Sequence, residues 1–140
     1  MWSSSRSSVA DVLRGVSILV VEDDFLLLTE LEAVLRDAGA ENVHGCRTNR
    51  EAMAALDDHA IAAAVLDVRI GDDTVAPVAR KLAERGTPFF FYTGQIHGDP
   101  TISAWQDRLV LAKPAHSGLI VQSVIDLLEQ ETTSRDVTIS

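Results

Sequence analysis

The chain has 140 residues, enough for one buried core and too few for two. With 46% hydrophobic and 24% charged residues it has the composition of a folded globular domain and not of a disordered segment. Its net charge of −9 repels a phosphate backbone, and its apolar runs are far shorter than the roughly 20 residues of a membrane span, so neither nucleic acid nor membrane is expected as a partner.

The first residues, MWSSSRSSVADVLRG, hold no apolar stretch of the kind that forms a signal-peptide core, so a cytoplasmic location is expected. They read as a flexible N-terminal arm over 1–14, with a turn of helix at Val9–Leu13. Val16–Val21 is an apolar, mostly β-branched run, the mark of a strand buried on both faces. Phe25, Leu28, Leu31, Val34, Leu35 and Ala38 recur at helical spacing, and Gly39 supplies the stop. Asn42–Cys46 is a weaker strand. Thr48 followed by Glu51 is a capping box that opens a helix to about Asp57. Ile61–Asp67 is the third strand and Asp73–Arg85 the next helix, closed by Gly86. Pro88–Tyr92 is a very apolar fourth strand. Asp99-Pro100 caps and starts a short helix to about Trp105. Arg108–Ala112 is the fifth strand, and Ser117–Glu131 the last helix, leaving 132–140 as a tail.

Buried strands alternating with helices predict a doubly wound α/β sandwich, a flavodoxin-like (βα)5 domain over 15–131 with parallel strand order 2-1-3-4-5. The working site of such a sheet lies outside the carboxyl ends of its strands. Those ends carry Glu22-Asp23-Asp24, then Asp67, then Thr93-Gly94, then Lys113-Pro114; the second strand ends in nothing of note. Clustered acids hold a hard divalent cation such as Mg²⁺. A carboxylate can serve as nucleophile toward phosphorus, while a hydroxyl and an ammonium take the phosphoryl oxygens. Each feature also has a plainer reading. Acids after a strand suit a helix N-terminus, and Asp24 suits a cap. Asp67 and Thr93-Gly94 suit turns, and Lys113 suits a surface.

Taken together, ILVVEDD (18–24), AAVLD (63–67), FYTG (91–94) and LAKP (111–114) resemble the receiver domain of bacterial two-component response regulators. The resemblance implies that Asp67 is the phosphoacceptor. It implies that Glu22, Asp23, Asp67 and the Arg69 backbone carbonyl bind Mg²⁺, that Thr93 is the switch hydroxyl, and that Lys113 contacts the phosphoryl group across a cis Lys113–Pro114 bond. The segment 91–96 resembles the Phe-Ala-Thr-Gly-x-Tyr signature of an atypical alphaproteobacterial subfamily, with Tyr92 in place of Ala and Ile96 in place of Tyr. DVRIGDDT (67–74) fits the same group. Val110 stands where many receivers carry an aromatic residue three before the lysine.

The expected function is that of a single-domain regulator without an output domain, not an enzyme toward other substrates. It would accept a phosphoryl group from a sensor histidine kinase or histidine phosphotransfer protein, then bind an unknown downstream protein or act as a phosphate sink. An order–disorder switch across 94–107 would report the phosphorylation. A Mg²⁺-dependent phosphohydrolase is the alternative, although the contiguous acids and Asp67-Val68-Arg69 lack the Asp-x-Asp of the haloacid dehalogenase type. A receiver fold that binds partners unphosphorylated is the other. An acidic loop after the first strand does not suit a flavin phosphate. Cys46, the sole cysteine, excludes an intrachain disulfide and a Cys-based zinc site, and reads as a small buried residue. His97 reads as a solvated loop residue or a modulator of the site, and Trp105 as packing or a partner surface.

Overall fold

In the computed structural model, residues 8–94 and 99–139 are described, with side chains described through residue 130. The elements run α1 (Val9–Leu13), β1 (Ser17–Val21), α2 (Phe25–Asp37), β2 (Asn42–Cys46), α3 (Asn49–Asp58), β3 (Ile61–Leu66), β4 (Arg69–Ile70), β5 (Asp73–Thr74), α4 (Ala76–Glu84), β6 (Phe89–Thr93), α5 (Pro100–Ala104), β7 (Val110–Ala112) and α6 (Ser117–Ile139). The main sheet has five parallel strands in the order β2-β1-β3-β6-β7. That is the expected 2-1-3-4-5 order, because the two-residue β4 and β5 pair only with each other.

Alternation along the strands builds two cores, one on each face of the sheet. Ile18, Val20, Ala63, Val65, Phe90 and Tyr92 meet Leu28, Leu31 and Leu35 of α2 and Ile120 and Val124 of α6. Leu19, Val21, Ala64, Leu66, Phe89 and Phe91 face Ala52 and Leu56 of α3 and Val78 and Leu82 of α4. Phe89, Phe90 and Phe91 are all fully buried, and each contributes roughly 1.5–3 kcal/mol by leaving water.

Local chemistry sets the helix starts. Asp24 Oδ1 accepts from Leu27 N, Thr48 Oγ from Glu51 N, and Asp99 Oδ1 from Thr101 N, each satisfying an orphan donor of a first turn. The Glu51 carboxylate reaches back to Arg47 N, one residue before the cap.

Four expectations change. The helix placed at Asp73–Arg85 begins at Ala76, because Asp73–Thr74 pairs back on Arg69–Ile70 as a small hairpin; Gly71 turns it at φ 62 and Pro77 sits in the first helical turn. Phe25, counted with the buried face of α2, is 61% exposed. Of the residues set apart with the arm, Leu13 and Val12 pack into the core, while Ser8–Asp11 and Arg14 are exposed. Leu13 is fully buried, and Gly39 admits the backbone of Ala10 so closely that a Cβ there would lie 2.5 Å from the Ala10 Cα. The last helix runs on to Ile139, through the segment set apart as a tail.

Candidate functional site

The register of the ladder places the acids. Val21 pairs with Cys46 on one side and Leu66 on the other. Each ladder runs one hydrogen bond further: Glu22 N donates to Cys46 O, and Asp67 N donates to Val21 O, both at 2.9 Å. Glu22 and Asp67 therefore leave adjacent strands at the same level. One oxygen each of Glu22, Asp23 and Asp67 fits within 4.8 Å of the others. Glu22 is 1% exposed and Asp67 8%.

Lys113 enters from the end of β7. Its N–H donates to Thr93 O at 3.0 Å, and its ammonium donates to Glu22 Oε1 at 2.6 Å and to Asp67 Oδ2 at 2.8 Å. The peptide bond to Pro114 is cis. Burial is the largest influence on Glu22 and pushes its carboxyl above the usual range, against the lowering effect of Lys113 and the Asp24 amide. Burial pulls the Lys113 ammonium down, but its hydrogen bonds to Asp67 and Glu22 together outweigh this, so it stays protonated. Three crowded oxygen donors, one of them costly to hold as an anion, are a donor set that suits a hard divalent cation.

The remaining residues are placed as follows. Asp23 is half-buried and accepts from Gly71 N at 2.9 Å through Oδ2, so the β4–β5 turn orients this carboxylate. Asp24 is an exposed helix cap. Arg69 is exposed, in β4, two residues past Asp67. Thr93 is fully buried at the end of β6. Val110 is half-buried and packs with the Phe89–Phe91 core. Ile96 and His97, with residues 95–98 of the expected 94–107 switch, lie outside the described residues. Trp105 is a packing residue, its ring 6.1 Å from Phe89 and 6.5 Å from Phe91. Burial pushes the Cys46 thiol up to about 11, as for an inert core residue.

The contacts of two residues were not read from the sequence. The second strand, expected to add nothing, is followed by Arg47, whose Nε donates to Asp23 O at 3.2 Å while its guanidinium lies 5.6 Å from the Phe25 ring. An Arg directly after a strand end was the available signal. Tyr92, noted only as a departure from a signature, lies under Lys113: its ring centroid is 5.8 Å from the ammonium, and its hydroxyl oxygen accepts from Ala115 N at 3.1 Å.

No family model and no curated protein matches the sequence. Solved structures do. SdrG from Sphingomonas melonis Fr1 is 35% identical, with 81% of this chain and 96% of that one covered at a TM-score of 0.69. A response regulator receiver protein from Sinorhizobium medicae WSM419 is 28% identical over 83% of this chain and 96% of its own, also at 0.69. The response regulator PhyR from Brucella abortus shares the fold, with 20% identity and a TM-score of 0.72 over 91% of this chain. The chain spans only 54% of the length of that PhyR and of the one from Bartonella quintana. A parallel sheet in receiver order with acids, threonine and lysine at its carboxyl rim defines a class, and the solved relatives specify it: the chain belongs to the response regulator receiver domains. Among the described residues, no helix is long and apolar enough to cross a membrane.

Proposed function

We propose that this receiver takes a phosphoryl group onto Asp67 from the phosphohistidine of a sensor kinase or histidine phosphotransfer protein, in the cytoplasm, and signals by binding a further protein or by draining the donor. The observation that carries the reading is the Lys113 ammonium bridging Glu22 Oε1 and Asp67 Oδ2 beside a three-carboxylate cluster.

Asp67, 8% exposed at the carboxyl end of β3, is held at its backbone, which fixes its carboxylate for in-line attack on a donor phosphorus. An Asp67 oxygen forms the new O–P bond as the P–N bond to imidazole breaks; the ring nitrogen keeps the electron pair of that bond, and the imidazole leaves neutral by taking up a proton from solvent. Lys113 already touches Asp67 and follows the charge as it moves onto a phosphoryl oxygen. Thr93 supplies a hydroxyl donor at the neighbouring strand end. Glu22, Asp23 and Asp67, with the Arg69 carbonyl, would hold Mg²⁺, which supplies charge neutralisation of the incoming phosphoryl group. Arg47 and Gly71 fix the backbone and carboxylate of Asp23 for that task. The chemistry is confined to the protein's own carboxylate, so the chain turns over no external substrate.

Incubation with acetyl phosphate and Mg²⁺ is expected to add one phosphoryl group, detected by intact mass, and Asp67→Asn to abolish it. Equal labelling of the Asn variant would overturn the assignment.

A further inference from the structure

Tyr92 is a large core residue, 4% exposed, that packs with Phe90 and Leu111 and also carries the two polar contacts described above. Its neighbour in β6, Thr93, accepts from Lys113 N at 3.0 Å, while the Tyr92 hydroxyl accepts from Ala115 N at 3.1 Å. The three-residue turn Lys113–Ala115 is thus fastened at both ends by consecutive residues of one strand. The Lys113 side chain is 18% exposed, and its ammonium lies 5.8 Å from the Tyr92 ring centroid, within the range where a ring face attracts a cation.

We propose that Tyr92 is a positioning residue for Lys113: its ring and hydroxyl together hold the ammonium between Glu22 and Asp67 and hold the turn that carries it. A lysine side chain is long and flexible, and its ammonium is a point charge with no geometry of its own. A carboxylate pair attracts it but does not fix the backbone from which it reaches. The hydroxyl does that, through a residue two positions further on, and the ring limits the paths open to the stem. The relevance to phosphoryl transfer rests on the function proposed above, while the placement of Lys113 does not.

The test uses Tyr92→Phe, which keeps the ring and the core volume, and Tyr92→Ala, which removes both contacts. Without any phosphodonor, amide exchange at Ala115 and NMR order at the Lys113 Cε methylene report the positioning directly. Faster Ala115 exchange is expected in both variants, and a more mobile Lys113 in Tyr92→Ala, with Tyr92→Phe between. With acetyl phosphate and Mg²⁺, the maximal phosphorylation rate is expected to fall about fivefold in Tyr92→Phe, the scale of one hydrogen bond, and about twentyfold in Tyr92→Ala. The half-saturating donor concentration should move less than about twofold, since the interaction acts on the transferring group. Unchanged Ala115 exchange and Lys113 order would overturn the proposal, as would a rate loss that follows thermal stability while Lys113 stays ordered. If Tyr92→Ala does not fold, Ala115 exchange in Tyr92→Phe decides it. A wild-type chain with the expected NMR differences but no phosphorylation would refute the phosphoacceptor reading and leave the positioning role standing.

Discussion

The two halves of the site are held in different ways. The carboxylate half grows out of β1 and β3, where one extra ladder hydrogen bond on each side of Val21 sets Glu22 and Asp67 level. The β4–β5 turn and Arg47 then fix Asp23. The cationic half rests on β6 and β7, where a single flexible side chain reaches two acids and is guided by Thr93 and Tyr92. Backbone pairing can crowd like charges together because the ladder resists their repulsion. Among the described residues, the Lys113 ammonium contacts both Glu22 and Asp67 and offsets part of their repulsion, and it is placed by side-chain packing.

The largest expected effect breaks this arrangement from the cationic side. Lys113→Met keeps most of the stem and removes the charge. The rate of phosphorylation by acetyl phosphate should fall about a hundredfold, as when one donor to a developing oxyanion is lost. Two acids of low exposure then lose their partner. Removing one member of a fully buried pair costs roughly 3–5 kcal/mol; with Lys113 18% exposed, a loss of about 2 kcal/mol in urea unfolding is expected. A variant as stable and as reactive as the wild type would show that the acids do not depend on it.

The opposite sign is expected from the carboxylate side. Asp23→Asn removes one of three crowded charges and keeps an oxygen to accept from Gly71 N. Without metal the variant should be more stable by about 0.5 kcal/mol, the scale of a partly exposed charge pair. Mg²⁺ affinity, followed by titration calorimetry or by the metal-dependent rise in Tm, should drop at least about tenfold, the minimum seen even for outer partners of a metal. A stability gain with unchanged Mg²⁺ affinity would move the cation elsewhere.

The difference between the halves also explains what could be read from the sequence. The carboxylate half is local. Apolar runs ending in Glu22-Asp23 and in Asp67 declare both the strand and its terminus, and the parallel order then brings them together. Caps at Asp24, Thr48 and Asp99 were legible because the cap and the amide it satisfies lie within three residues. The β4–β5 hairpin was not, because Asp73–Thr74 can open a helix or pair a strand, and only the return onto Arg69–Ile70 decides it. Gly71 and Pro77 were the local signals against a helix starting at Asp73. Tyr92 read as one more aromatic in a core strand. Its hydroxyl partner lies 23 positions away, across a turn whose geometry no pattern of spacing encodes. Phe25 sat at the right spacing for burial, but it lies in the first turn of α2, above the rim, with Arg47 beside it.

The smallest expected effect separates titration at the sheet edge from titration at the site. His44 lies in β2, which supplies no acid to the rim, and its ring stacks on His59 at 4.1 Å between centroids. Burial, then the charges of His59 and Arg36, hold its pKa below the ordinary 6.5, and its Nε2 is buried without a hydrogen-bond partner. The folded state therefore binds fewer protons than the unfolded state once the pH drops toward 6.5. Unfolding free energy rises with pH wherever the unfolded state binds more protons. The stability contributed by neutral His44 is thus fully present above 6.5 and is lost progressively as the pH falls through that value toward the lower, folded-state pKa. His44→Gln should flatten this part of the acid limb in urea unfolding measured at successive pH values. It should leave phosphorylation at neutral pH unchanged, since no part of β2 before Arg47 touches the acids' side chains in the contacts described above. If the limb keeps its slope in His44→Gln, the loss of stability on acidification does not come from His44, and the assignment of this titration to the sheet edge fails.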